Sequence, residues 1–203
     1  VLIRNLDGIG HKQSELVTNW MHERMKNARV IANNPLMIRS TKITEVDKDY
    51  PDIVQYLEVA KGEYGYKGVL VCNDSGVITV GTAGEAVGAD VSQMDYFKQA
   101  IQGNTSASNM IPSEIPLTNE LGEKELGLPT MFVSTPLKDR DGVVIGVVAI
   151  RVDVNALNDL MLSLNLGKTG ETYLVNKDGF MLTESRFGAH LKEMGLVKRR
   201  CAL

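Results

Sequence analysis

The residues from which this chain could build a reactive centre are few: three histidines, two cysteines, one serine motif and two short glycine motifs. His11 and His22 fall in a helical stretch and His190 near the end of the chain. A metal centre or a general base would need partners at fixed spacing, and each histidine reads as a surface residue without an acidic or Cys neighbour at ligand spacing. Ser134 lies in Val133-Ser134-Thr135-Pro136, which lacks the Gly-x-Ser-x-Gly elbow that exposes a hydrolase nucleophile. Gly81-Thr82-Ala83-Gly84 has no following Lys to meet a phosphate. Gly167-Lys168-Thr169-Gly170 lacks its upstream glycines and precedes a strand, so no helix N-terminus is available to an anion. Cys72 sits among Val and Leu and reads as a small buried hydrophobe. A Cys72–Cys201 disulfide would join a core strand to a loose tail and is not expected. No catalytic residue, metal site or cofactor site is expected, and the chain does not read as an enzyme.

Composition narrows the field further. With 203 residues, 22 Lys+Arg and 25 Asp+Glu, the net charge is −3, which argues against a nucleic-acid-binding face. Hydrophobic residues make up 43% of the chain, enough for a sizeable core in one large or two small domains. No apolar run reaches the length of a membrane span. Beginning at Val1 rather than Met, the sequence is expected to be a portion of a longer protein. Lys198-Arg199-Arg200-Cys201-Ala202-Leu203 forms no prenylation box and reads as a boundary or a basic surface patch.

The elements follow from periodicity. Leu2, Leu6, Ile9, Leu16 and Trp20 keep a 3–4 spacing with one polar interruption at Gln13, and the stripe drifts to Val17, Met21, Met25, Ala28 and Ile31, as 3.6 residues per turn requires. Asn33-Asn34-Pro35 stops this long helix. A second helix is expected over residues 43–64, with Ile53, Tyr56, Leu57 and Ala60 on one face. From Lys67 the period changes to that of strands: residues 68–72, an Asn73–Gly76 turn, and residues 77–80. Residues 90–102 read as a short helix ended by Gly103, and residues 104–128 as a weak edge strand followed by an excursion loop. A hairpin over residues 130–152 turns at Asp139-Arg140-Asp141-Gly142, and a last helix follows Asp153 or Asn155.

One internal similarity bears on domain organisation. Val71-Cys72-Asn73-Asp74-Ser75-Gly76-Val77-Ile78 can be laid over Leu174-Val175-Asn176-Lys177-Asp178-Gly179-Phe180-Met181. Each is strand, Asn-x-x-Gly turn, strand; two ordinary hairpins are the plainer reading. If the repeat is real, a second unit begins near Lys168, too close to the chain end to close a sheet.

Four segments then carry a family resemblance: Gly68-Val-Leu-Val-Cys-Asn-Asp-Ser-Gly76; Asp90-Val-Ser-Gln-Met-Asp-Tyr-Phe-Lys-Gln-Ala-Ile-Gln-Gly103; Pro136 through Gly146 with the following Val-Asp-Val-Asn-Ala-Leu; and Gly167-Lys-Thr-Gly-Glu-Thr-Tyr-Leu-Val-Asn-Lys-Asp-Gly179. Over essentially its whole length the chain resembles the double Cache (dCache) extracytoplasmic sensors, the PAS-like input domains of bacterial and archaeal chemoreceptors and histidine kinases. The resemblance implies an α+β fold: a long stalk helix over residues 1–39, a membrane-distal PAS-like module with an antiparallel sheet over 40–165, and an incomplete membrane-proximal module over 166–203. It implies a small organic ligand (organic acid, amino acid or amine), a homodimer through the long helix, no nucleic-acid partner, and a cell-membrane receptor with this portion outside the cytoplasm. Residues 104–128 would be the lid.

The candidate ligand-contacting positions in this chain are Met94, Asp95, Tyr96, Phe97, Ser134, Arg151 and Asp153; Tyr96 and Phe97 would be pocket walls, with core packing the competing use, more so for Phe97. Many relatives place an Arg just before Asp-Tyr-Phe, where this chain has Met94, and an Asp on the last long strand, where this chain has Arg151. Both departures count against an α-amino acid. Arg151 could supply the missing cation from the opposite wall, an exchange that suits a small anion; an Arg at a strand end reaching solvent or Asp153 is the plainer reading. The alternative class is a profilin- or roadblock-like interaction module whose sheet is only a scaffold.

Overall fold

In this computed structural model the described residues are 2–82, 86–113, 117–118, 122–163, 166, 170–175, 179, 181–183 and 185–195. The apolar stripe of the first segment becomes helix α1 (Leu2–Ala32), about 46 Å long at 1.5 Å per residue. Gln13, Trp20, Ala28, Ile31 and Ala32 are its buried positions, whereas Leu6, Leu16 and Val30 remain exposed. Asn34 ends it as expected and its Oδ1 accepts the N–H of Leu36 at 3.0 Å, opening the short helix α2 (Leu36–Ser40).

The second long helix begins later than periodicity suggests. Asp47 Oδ2 accepts both the backbone N–H of Thr44 (2.7 Å) and its hydroxyl (2.8 Å), and a carboxylate that captures nearby backbone competes with helix. The same two hydrogen bonds hold the Asp47 pKa below the usual carboxylate value. Helix α3 therefore spans Tyr50–Tyr64, with Pro51 in its first turn and Gly65 in the left-handed conformation (φ 69°) closing it. Ile53, Leu57 and Ala60 are its buried face and Tyr56 is half-buried.

The main sheet contains β1 (Gly68–Asn73), β2 (Ile78–Gly81), β3 (Ser106–Ala107), β4 (Ile111–Pro112), β7 (Pro129–Lys138) and β8 (Val144–Val152). Its order is β2-β1-β8-β7-β3, with β4 also on β7. Between them lie helix α4 (Asp95–Ile101) and a separate antiparallel pair, β5 (Leu117–Thr118) with β6 (Lys124–Glu125). The expected helix from residue 90 starts instead at Asp95, because Asp90 Oδ1 accepts Ser92 N–H at 2.8 Å and holds a turn. After β8 come α5 (Val154–Leu162) and α6 (Gly188–Glu193).

Two compact units result. One comprises residues 21–108 and 131–153; the other comprises 1–20, 109–130 and 154–203. In the first, α3 lies against β1 and β2, and α4 against β8. Strand periodicity sorts its residues into two faces. Val69, Val71, Val133, Val148 and Ile150 share one face at 2% exposure or less, and each buried side chain of this size stabilises the fold by roughly 1.5–3 kcal/mol. In the second unit, an antiparallel bridge joins Val175 and Met181, and Leu182 N–H donates to Leu174 O at 2.8 Å. The central residues of the proposed repeat, 176–178 and 180, lie outside the described residues.

Candidate functional site

The other face of the sheet carries two of the positions expected from sequence to contact a ligand, Ser134 and Arg151. Register places Phe132 opposite Arg151 and Arg151 opposite Gly68; the next row is Ser134, Ala149 and Leu70. Helix α4 is fastened over this face by Ser134, which is fully buried and whose Oγ donates to the backbone carbonyl of Tyr96 at 2.8 Å. The Tyr96 ring stacks on Phe132 with centroids 4.5 Å apart and planes inclined by 25°, a separation typical of a favourable aromatic pair. Ser108 closes the edge, donating its N–H to Phe132 O at 2.7 Å and accepting Phe132 N–H at its Oγ at 3.0 Å.

Arg151 is half-buried beside this aromatic pair. Its Nη2 donates to the Lys67 carbonyl at 2.9 Å. The side chain crosses above Gly68: a Cβ built there would lie 3.9 Å from Arg151 Nε and 3.6 Å from Thr82 Oγ1. Burial lowers the guanidinium pKa, and the neighbouring Asp153 carboxylate opposes that shift. Asp153 is itself bridged to Lys67 Nζ at 3.0 Å. Along the three central rows the residues are Gly68, Leu70 and Cys72; Arg151, Ala149 and Val147; Phe132, Ser134 and Pro136. Arg151 is the charged group among these nine, and none is a carboxylate. Such a surface favours a negative charge beside an aromatic ring and offers an ammonium no counter-charge from those rows.

The structure thus brings Tyr96, Ser134 and Arg151 to one sheet face. Phe97 is buried beside Tyr96 on α4, at 4% against 5% exposure. Met94 is half-buried and precedes α4 in extended conformation, while Asp95 is exposed in its first turn. Phe132 is absent from the sequence-derived set. Its position two residues before Ser134, on the same side of the strand, was the available signal.

Elsewhere, His11, His22 and His190 are all exposed. His190 departs from expectation in having an acidic neighbour, Glu193, whose Oε2 lies 3.7 Å from its Nδ1; both side chains are largely solvated, which makes this a weak surface contact. Among the described residues no three His, Cys, Asp or Glu side chains gather as a metal site. Cys72 is a free, buried thiol, and Cys201, Ala83, Gly84 and residues 167–169 lie outside the described residues. An open groove of about 530 Å³ is lined by residues including Ile38, Lys42, Ile43, Lys48, Asp139 and Ile145. Ile145 is six strand residues from Arg151, roughly 20 Å at the rise of a strand, so this groove is separate from the aromatic face. Asp139 is engaged within its own turn, with Oδ1 accepting the N–H groups of Asp141 and Val143.

The fold and the site now stand beside known proteins. The dCache_1 family model, described as a Cache domain, matches residues 2–197. The V. cholerae histidine kinase DctB sensor domain shares the fold with a TM-score of 0.61 at 12% identity, over 78% of this chain and 58% of that one. The chain therefore spans little more than half of the DctB sensor domain. The ligand-binding domain of the Pseudomonas aeruginosa PAO1 amino-acid chemoreceptor PctC, solved with GABA, matches with a TM-score of 0.61 at 20% identity, over 91% and 77%. The corresponding domain of Pseudomonas fluorescens CtaA, solved with L-alanine, matches with a TM-score of 0.62 at 16% identity, over 92% and 73%. The sequence matches none of the curated proteins with which it was compared. Among the described residues, no helix is long and apolar enough to cross a membrane. Cache sensor domains are ligand-binding signalling domains of chemoreceptors and sensor kinases rather than catalysts. With an α+β architecture of long helix and antiparallel sheet, and a family match over nearly its whole length, this chain belongs to the Cache domain family.

Proposed function

We propose that this chain is the extracytoplasmic sensing portion of a membrane receptor and that it binds a small organic anion on the sheet face carrying Tyr96, Phe132 and Arg151. The observation that carries this reading is the placement of a half-buried guanidinium beside a stacked aromatic pair, on sheet rows without a carboxylate. Arg151 would bind the ligand's negative end, and its planar fork suits a carboxylate. Tyr96 and Phe132 would hold the ligand's body, with Ser134 keeping α4 in place. Met94 offers no charge, and Asp153 is paired with Lys67, which supports an anion over an α-amino acid. In this reading residues 1–39 are the stalk and pair with a second copy, 40–165 form the membrane-distal ligand module with 104–128 as its lid, and 166–203 begin the membrane-proximal module. Binding acts by its differential affinity for two arrangements of module and stalk.

The near-complete burial of Tyr96 and Phe97 favours a second reading, a scaffold module whose core is simply filled there. A thermal-shift and calorimetric titration separates the two, using a panel of small mono- and dicarboxylates, α-amino acids and amines. A carboxylate is expected to raise the melting temperature. Arg151→Ala should then weaken its binding by about 10- to 100-fold, the worth of a charge-assisted hydrogen bond. Arg151→Lys should fall between, because it keeps the charge and loses the fork. Unchanged affinity in Arg151→Ala would overturn the anion assignment, and the lack of any stabilising compound would favour the scaffold.

A further inference from the structure

Gln13 interrupts the apolar stripe of α1 and yet is 5% exposed. A buried amide is costly unless it is hydrogen-bonded, and this one is bonded twice. Its Nε2 donates to the carbonyl of Met161 at 3.1 Å and to Thr172 Oγ1 at 2.5 Å. The Met161 carbonyl belongs to the last turn of α5, where helix carbonyls lack an intrahelical partner. Thr172 Oγ1 also reaches that carbonyl, at 3.4 Å. Two residues further on, Leu174 N–H donates to Thr183 Oγ1 at 2.9 Å and Leu174 O accepts from Leu182. Three sequence-distant pieces therefore meet at one buried polar triangle: the first half of α1, the end of α5, and the bridged segment that begins the last part of the chain.

Apolar side chains on facing helices tolerate a small axial slide, because dispersion contacts are exchanged for similar ones. Hydrogen bonds do not, since a shift of about 1–2 Å carries both acceptors out of range. A single buried polar residue is the best-attested device for fixing register, and Gln13 is the one buried residue between positions 6 and 19 of α1. We propose that the Gln13–Met161–Thr172 triangle is a register lock that holds α1 in one axial position against α5 and the segment after it. Gln13 is a positioning residue in this arrangement, and the lock does not depend on what Arg151 binds.

Amide hydrogen exchange on the full chain tests it, with Leu174 and Leu182 as reporters and the amides of β1 and β8 as reference. Gln13→Leu keeps the bulk and removes the bonds; Thr172→Val removes the hydroxyl alone. Each is expected to speed exchange at the reporters about tenfold, the worth of one buried hydrogen bond, with β1 and β8 within about twofold of the parent. The double variant should behave as either single one, because both break the same triangle. Unchanged reporters, a multiplied effect of about a hundredfold, or an equal rise in β1 and β8 would each overturn the proposal. If Gln13→Leu does not fold, Thr172→Val alone must give the same local rise for the lock to stand.

Discussion

Replacing Gly146 with Ala is expected to destabilise the chain by roughly 3 kcal/mol, at the upper end of the range for overpacking a filled core. Gly146 sits in β8 with Asn73 of β1 and Leu137 of β7 on either side. A Cβ added there would be driven into the backbone carbonyl oxygen of Cys72 and would lie 2.7 Å from Thr41 Cγ2. Neither obstacle can yield cheaply. The carbonyl belongs to a central strand, and Thr41 is held by its hydroxyl on Ile38 O at 3.2 Å as it caps α2. The missing side chain is what lets the α2 segment rest on the sheet. For a chain of this size the loss corresponds to a fall in melting temperature of about 6–12 °C. Gly8→Ala is the matched control. Gly8 lies within α1 with nothing inside 4 Å of the added Cβ, and there the same methyl should stabilise by roughly 0.5–1 kcal/mol through helix propensity. Chemical denaturation of both variants beside the parent checks the pair. A Gly146→Ala protein as stable as Gly8→Ala would mean that the sheet and α2 do not approach as described.

What could be read from sequence divides along a physical line. The course of α1 was legible because its stripe follows the helical period for many turns. The β7–β8 hairpin was legible because Asp139-Arg140-Asp141-Gly142 announces its turn, and the Asp139 carboxylate does accept the N–H groups of Asp141 and Val143. Element starts were less so. Asp47 and Asp90 each seize backbone one turn ahead of a helix, and residues of that type serve equally as caps, turn-makers or helix surface. Tyr96 and Arg151 could be named as site candidates from the motif around them. That Arg151 lies opposite Phe132 follows from strand register, and that the Tyr96 ring stacks on Phe132 follows from how α4 packs on the sheet; no local pattern encodes either. Gln13 is the clearest instance. Its polarity marked it as an anomaly in the stripe, but its partners, Met161 and Thr172, lie 148 and 159 positions away, and only the folded chain brings them together.

Stability is expected to fall steeply at alkaline pH because of Cys72. This thiol is fully buried in β1, opposite Ile78 and Val147, and burial pushes its pKa from 9.0 up to about 12. A thiol is neutral when protonated, so burial favours the protonated form in the folded chain alone. Below pH 9 both folded and unfolded chains hold the proton and the group contributes no pH dependence. Between pH 9 and about 12 the unfolded chain loses the proton while the folded chain keeps it. The unfolded state then binds fewer protons, and unfolding becomes easier by up to about 1.4 kcal/mol per pH unit. Lysines and tyrosines also titrate in this range, so the measurement is a difference between parent and Cys72→Ala, taken by denaturation at pH 7 and pH 10.5. At pH 7 the variant should be the less stable of the two, since it loses the packing of a buried sulfur. By pH 10.5 the parent should have lost about 2 kcal/mol relative to the variant, closing or inverting the gap. Labelling of Cys72 with iodoacetamide, in a chain carrying Cys201→Ala, should be negligible in the native state and rise only with unfolding. A stability gap that stays constant from pH 7 to pH 10.5 would mean that the folded thiol ionises like a free one. Cys72 would then be open to water or beside a cation, and this face of the sheet would hold a second ionisable group besides Arg151 with which to meet a ligand.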